Sequence, residues 1–504
     1  MKSVLVLSII LSFTRVVTCS PTLRSTSLPT VDLGYSVHQA TINASPAWLD
    51  VSGKVLSGVP LANILNDSST TTNGSGNLAN LSLADLPLAP GTSEDCLFLD
   101  VFVPEAVFNA PHAEDGNPAG LIARSQVDGS SGIIFVSINY RLGLFGWVSG
   151  PTFQEDGIAN AGLYDQRLAI EWVKKNIEKF SGSPQKITVM GESAGGGSIM
   201  HHITSYGGVK GPVPFQQAII QSPAFIPVAS NLQQENIFQS VLEVASLVTN
   251  KLITTTNQLR DLSTIELQAV NTIAIYLAEN GTFTLGPAVD GHYVPAMPGV
   301  LLLHGQFDKN VNVMVGHNVD EGLTFTSPFI TNQSSYTTFL STVLPDASPK
   351  TIEYLDTVLY PPIFNSSYNY TTQLERTSLT ISEMRFSCNT RFLDFAYQND
   401  IYSYYFTVPN GVHSEDVPYT FFNGDTNTLD DFRPINVTVA HALQEFITSF
   451  TKTGTPNGDG KQTSLFPMYG DDSEVIDLGV DGFIIQTDPV ANSRCDWWQK
   501  ALYY

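Results

Sequence analysis

The sequence predicts an α/β fold in which a mostly parallel central sheet is flanked by crossover helices. Three observations point there. CLFLDVFVP (96–104), GIIFVSIN (132–139) and KITVM (186–190) are short runs rich in Val, Ile and Phe, the composition of strands buried on both faces. Between the last two, Ala169, Trp172, Val173, Ile177 and Phe180 recur at spacings that form one face of a helix, with Gly182 expected as its C-cap. Strand, helix and strand in this order require a parallel crossover connection.

The later elements follow the same logic. Phe238–Val248 has helical character, whereas Val311–Val315 and Ile401–Val408 are apolar runs of strand length. Asn63–Ser82, rich in Asn, Ser, Thr and Gly, reads as a solvated loop. No Pro/Gly-rich or charge-rich linker divides the chain, so residues 20–504 are expected to form one large domain.

Charge narrows the function. The 504 residues carry 47 acids against 24 Lys and Arg, a net charge of −23, which opposes binding to nucleic acid or to an anionic membrane surface. At the N-terminus, Lys2 precedes an apolar run from Val4 to Phe13, with small residues near Val17 and Cys19. This is the pattern of a secretory signal peptide over residues 1–19, too short for a stable membrane anchor. Its removal would take away Lys2 and Arg15 but no acid, leaving −25. Nine Asn-x-Ser/Thr sequons, at Asn43, Asn66, Asn73, Asn80, Asn280, Asn332, Asn365, Asn369 and Asn436, fit a secreted, extracellular glycoprotein. Past Cys19, the cysteines are Cys96, Cys388 and Cys495, an odd number for an oxidising compartment.

The chemistry is concentrated after the KITVM strand. Gly191-Glu192-Ser193-Ala194-Gly195 is a G-x-S-x-G match lying between a buried strand and the helix-like GGGSIMHHI. A strand-to-helix turn this tight forces its serine into a strained backbone conformation and leaves no room for side chains on either side. Ser193 is therefore the expected nucleophile. It needs a histidine to take its proton and a carboxylate to orient that histidine, in the chain order Ser, acid, His. Spacing alone does not choose among nine histidines. No H-E-x-x-H or paired C-x-x-C occurs, so no metal is expected. GTPNGDGK (454–461) lacks the first glycine of a phosphate loop and is followed by Gln462.

Taken together, Ser93-Glu94-Asp95-Cys96-Leu97, INYRLGLFGW (138–147), GLYDQRLAIEWVKKNI (162–177), GESAGG (191–196), GPAVDG (286–291), VGHNVDEG (315–322) and TGTPN (453–457) resemble type-B carboxylesterases. These form the cholinesterase-like branch of the α/β-hydrolase fold, and the likeness is strongest to secreted fungal esterases and lipases. The resemblance spans most of residues 90–500. It implies a carboxylic ester hydrolase acting on small-molecule or lipid esters through an acyl-enzyme, with no cofactor. Matched to the family's motifs, the acid is Glu321, with Asp290 and Asp320 as rivals, and the histidine is His413 rather than His201, His202, His292 or His317. Ala194 N–H is the implied oxyanion donor and Arg141–Asp165 a structural salt bridge. Glu192 is the acid beside the nucleophile, and Cys388–Cys495 the late disulfide. The rival function is a non-catalytic cholinesterase-like binding or adhesion module, which commonly lacks the nucleophile.

Two departures from the family stand out. Between the SEDCL and INYRLG strands, family members have a central strand ending in a His-Gly-Gly-Gly-type loop that gives two oxyanion N–H groups. Residues 105–131 here contain no Gly-Gly pair and no long apolar run. The sheet is thus expected to lack one central strand, and turnover to be impaired, since each lost donor typically costs ~10²–10³-fold. Upstream, Asn43-Ala44-Ser45 jumps to Pro46-Ala47-Trp48, omitting the family's Arg and Cys partners of Glu94 and Cys96. Two accounts fit these gaps: coding segments missing at Ser45–Pro46 and Pro111–His112, or a shortened, weakly active paralogue.

Overall fold

The computed structural model describes residues 3–9, 30–32, 37–39, 97, 99–102, 117–225, 228–278, 282–424, 429–430, 433–458 and 465–503. Glu94, Cys96, the 63–82 loop and the sequons at Asn43, Asn66, Asn73, Asn80 and Asn280 lie outside them, as do Val17 and Cys19. Of the other sequons, Asn332, Asn365 and Asn369 are exposed and Asn436 is half-buried.

A nine-stranded sheet runs through the protein. Its strands are β1 (Ser3–Ile9), β2 (Leu99–Phe102), β3 (Ile133–Ile138), β4 (Gly182–Glu192), β5 (Gln217–Gln221), β6 (Asn312–Asn318), β7 (Tyr402–Phe406), β8 (Glu474–Gly479) and β9 (Gly482–Thr487). Their spatial order is β9-β8-β7-β6-β5-β4-β1-β3-β2. The pairs β2/β3 and β8/β9 at the two edges are antiparallel, and every other pair is parallel. The flanking helices include α1 (Ala119–Ser125), α2 (Ala161–Asn176), α3 (Ala194–Ile203), α4 (Asn231–Thr249), α5 (Cys388–Ala396), α6 (Val437–Thr453) and α7 (Ser493–Gln499).

The uninterrupted apolar runs are explained by two hydrophobic layers, one on each face of the sheet. Successive strand side chains point to opposite faces. Ile134, Val136, Val189, Ile220 and Val315 enter one cluster, while Ile133, Phe135, Met190, Ile219 and Met314 enter the other. The first layer is covered by α2, through Leu163, Ile170 and Val173. The second is covered by α6, through Val439, Leu443, Phe446 and Ile447.

Two expectations change. The residue that closes α2 and the 3₁₀ turn after it is Ser181, at φ 67°, not Gly182, which begins β4. A second difference concerns the centre of the sheet, which is continuous instead of lacking a strand. Between β3 and β4 lies β1, in register as Leu5↔Ile134 on one side and Leu5↔Ile187 on the other. The physical reason lies in composition: SVLVLSI is a short, uncharged, apolar run, and a strand filling an interior sheet position needs no other signal. The same run is the core of the expected signal peptide, and cleavage after Cys19 would take β1 away.

Candidate active site

Three loops converge at the carboxyl ends of the parallel strands, where open α/β sheets place their sites. Ser193 directly follows β4, Glu321 lies in the turn after β6, and His413 lies in the loop after β7. At the β4–α3 turn, Ser193 adopts φ 57° and ψ −122°, the strained conformation expected of a nucleophile elbow. Gly191 has to be glycine, because a Cβ there would sit 2.5 Å from the Gly195 backbone. Beyond the turn, Ala194 is the first residue of α3, so its amide is among those that an α-helix leaves unpaired.

The three side chains form one hydrogen-bonded line. His413 Nε2 is 2.7 Å from Ser193 Oγ, and His413 Nδ1 is 2.5 Å from Glu321 Oε2. The Glu321 side chain is fully buried and the His413 side chain 5% exposed. Burial alone would raise the Glu321 pKa, but His413 and the hydrogen bonds from Ser222 and Asn318 hold it below the usual carboxylate value. Burial pulls His413 down, yet Glu192 and Glu321 outweigh it and bring its pKa up to about 9.

Glu192 belongs to this constellation. Its Oε1 is 3.4 Å from His413 Nε2 and accepts a 2.6 Å hydrogen bond from Ser414 Oγ. Burial raises its carboxyl to about 7 against the opposing pull of His413. Asp416 is buried nearby and accepts from Tyr404 OH at 2.5 Å and from Gln221 Nε2 at 2.9 Å. One imidazole is thus surrounded by Glu192, Glu321 and Asp416, all three of which favour its protonated form.

The rivals lie elsewhere. Asp290 shapes a turn, accepting from the amides of His292 and Val294, and Asp320 is bonded by Ser378 Oγ. His202 is locked between Tyr293 and Gln166, His201 is buried against Phe225, and His292 contacts Tyr164 and Lys210. His317 pairs with Asp488 at 3.1 Å in the interior. Arg141 and Asp165 form a bidentate pair with two 2.7 Å bonds, the aspartate buried and the arginine 39% exposed along its side chain. Cys388 and Cys495 are joined as a disulfide. Among the described residues, no group of three or more His, Cys, Asp or Glu is arranged to hold a metal ion.

Several participants escaped the sequence reading. Ser222, at φ 43°, donates a 2.6 Å hydrogen bond from Oγ to Glu321 Oε1. Asn318 gives its backbone N–H to the same oxygen at 2.6 Å. Phe386 lies against the His413 ring with centroids 4.3 Å apart, and Phe325 lies 5.3 Å from it. A polar residue at the end of a buried strand or just past it is a weak signal for Asn318 and Ser222, and nothing in the sequence marks the two phenylalanines.

Comparisons with known proteins bear on the family and the fold. The model of the carboxylesterase family matches residues 64–498. The chain is 39% identical over 440 residues to carboxylesterase patB of Aspergillus clavatus, covering 82% of this chain and 77% of that one. It is 31% identical over 309 residues to the inactive carboxylesterase-like protein VdtD of Byssochlamys spectabilis, covering 55% and 52%. The crystal structure of Aspergillus niger EstA superposes with a TM-score of 0.69 at 23% identity, over 82% of this chain and 85% of that one. This last likeness shows the α/β-hydrolase fold.

Proposed function

Since the chain belongs to the carboxylesterase family, we propose that it is a secreted carboxylic ester hydrolase working through an acyl-enzyme on Ser193. The observation that carries the reading is the continuous line from Ser193 Oγ through His413, with spacings of 2.7 and 2.5 Å, to a fully buried Glu321. Ser193 Oγ attacks the ester carbonyl carbon while His413 Nε2 takes its proton. The tetrahedral oxyanion is stabilised by Ala194 N–H at the start of α3. Its collapse breaks the bond to the alcohol oxygen, which receives the proton from His413. Water then attacks the acyl-enzyme with His413 again as base, releasing the carboxylic acid and restoring Ser193. Glu321 orients the imidazole and stabilises the imidazolium formed in each half. No step needs a cofactor. Arg141–Asp165 serves the scaffold.

Substrates are small-molecule or lipid esters. Secretion is supported by the sequons and the Cys388–Cys495 disulfide; the folded secreted enzyme would retain Ser3–Ile9, because that run is β1 of the sheet. No helix among the described residues is long and apolar enough to cross a membrane. A non-catalytic module is the second reading, favoured by the missing Gly-Gly loop and by a relative named inactive. Hydrolysis of p-nitrophenyl butyrate by the wild type, abolished in Ser193→Ala, supports the enzyme. Equal rates in the two, or none in a folded wild type, would remove it.

A further inference from the structure

One residue touches both loops on which the triad depends. Asn318, the last residue of β6, is 2% exposed. Its backbone N–H holds Glu321 Oε1 at 2.6 Å, and its side-chain Nδ2 donates to the carbonyl of Val412 at 2.8 Å. Val412 immediately precedes His413, and its own N–H is bound by Glu415 Oε2 at 2.7 Å. Both backbone polar groups of Val412 are therefore tied, one to its own loop and one across to the strand that carries the acid. The amide has one productive orientation, since flipping it would set two carbonyl oxygens against each other. Around this contact the loops are joined through their backbones as well, by Asp320 N–H to Gly411 O at 2.7 Å.

We propose that Asn318 is a positioning residue that fixes the separation between the acid and the base of the triad. The inference rests on the ester-hydrolase reading. Its logic is geometric: the 2.5 Å contact between His413 and Glu321 joins two loops 92 residues apart, and a contact that short survives only where both loops are held. The Asn318 side chain ties the residue before His413 to the strand end that precedes Glu321. Without that tie a part-buried carbonyl loses its donor, and the His413 loop is held to the acid's strand by the Asp320–Gly411 backbone bond but lacks its side-chain brace, so His413 shifts relative to Glu321. A displacement of about 1 Å in a catalytic group costs on the order of 10²-fold.

The test uses two variants of the full chain. Asn318→Leu keeps the branching and fills the space but removes the donor, whereas Asn318→Ala removes both. In each, kcat for p-nitrophenyl butyrate should fall on the order of 10²-fold with KM unchanged, because Asn318 acts through His413 and not on substrate. A space-filling role predicts that Asn318→Leu keeps wild-type kcat. A second readout is independent of turnover: the His413 Nδ1 proton, held against a carboxylate, gives a far-downfield proton NMR resonance in the wild type. It should broaden or vanish in both variants while the thermal midpoints show them folded. Wild-type kcat and an unchanged resonance in Asn318→Leu would overturn the proposal, as would absence of the resonance from the wild type. An inactive wild type that keeps the resonance, with the resonance lost in the variants, would defeat the ester-hydrolase reading and leave the positioning role standing.

Discussion

At the scale of single residues, the governing fact is that His413 sits among carboxylates. In its proposed role as general base His413 must be neutral to accept a proton, and Glu192 and Glu321 hold it at about 9. Hydrolysis should accordingly rise with pH along an acid limb that belongs to the coupled Glu192–His413 pair, whose members lie near 7 and 9. Glu192 raises the imidazole pKa, so Glu192→Gln should move the limb of kcat/KM to lower pH. A limb that stays in place or moves to higher pH in a pH–rate profile would contradict that electrostatic account. Ser193, Glu321 and His413 were legible because the nucleophile elbow demands glycines at fixed positions and the other two sit in recognisable segments. Ser222, Phe386 and the Asn318 side chain were not legible, since the groups they meet lie far off in the chain: Glu321 for Ser222, His413 for Phe386 and the Val412 carbonyl for Asn318.

At the scale of elements, β2, β3, β4, β6, β7 and α2 were readable from apolar runs and from helical spacing, whereas β5, β8 and β9 were not read, and the close of the 3₁₀ turn after α2 was misplaced by one residue because Ser181 takes the left-handed conformation that usually belongs to glycine. Next to the acid loop, β6 also carries His317, which is ion-paired with Asp488 in the interior and packed against Tyr405. Burial lowers the His317 pKa, but Asp488, and to a smaller extent Glu321, leave it raised overall. A raised histidine stabilises the fold below its unfolded pKa of about 6.5 and loses that contribution as pH climbs through the folded value. His317→Asn should therefore destabilise by about 3 kcal/mol at pH 6, with the deficit shrinking at alkaline pH. Urea unfolding at both pH values measures this, and a deficit that grows with pH would refute it. The Cys388–Cys495 disulfide anchors the start of α5 to α7 across 107 residues. Replacing both cysteines by serine should cost about 2–4 kcal/mol.

At the scale of the whole molecule, the central sheet position between β3 and β4 decides whether the fold closes. Composition predicted a parallel sheet, and the gap at residues 105–131 predicted a missing strand; the structure fills that place with Ser3–Ile9. A signal-peptide core and a doubly buried strand have the same composition, so sequence could not separate them. A chain starting after Cys19 should lose the parallel ladders on both sides of β1 and with them the link between β2–β3 and the other strands. Circular dichroism should then show no cooperative unfolding transition, whereas a transition at the full chain's midpoint would mean that the sheet closes without β1. Function at this scale depends on whether the converged loops form a working nucleophile with Ala194 as the proposed oxyanion donor. The most direct measurement is intact-mass and peptide analysis of the folded protein after treatment with a fluorophosphonate. A single adduct on Ser193, absent from His413→Ala, is the predicted result; a folded protein that remains unlabelled at Ser193 would contradict the account.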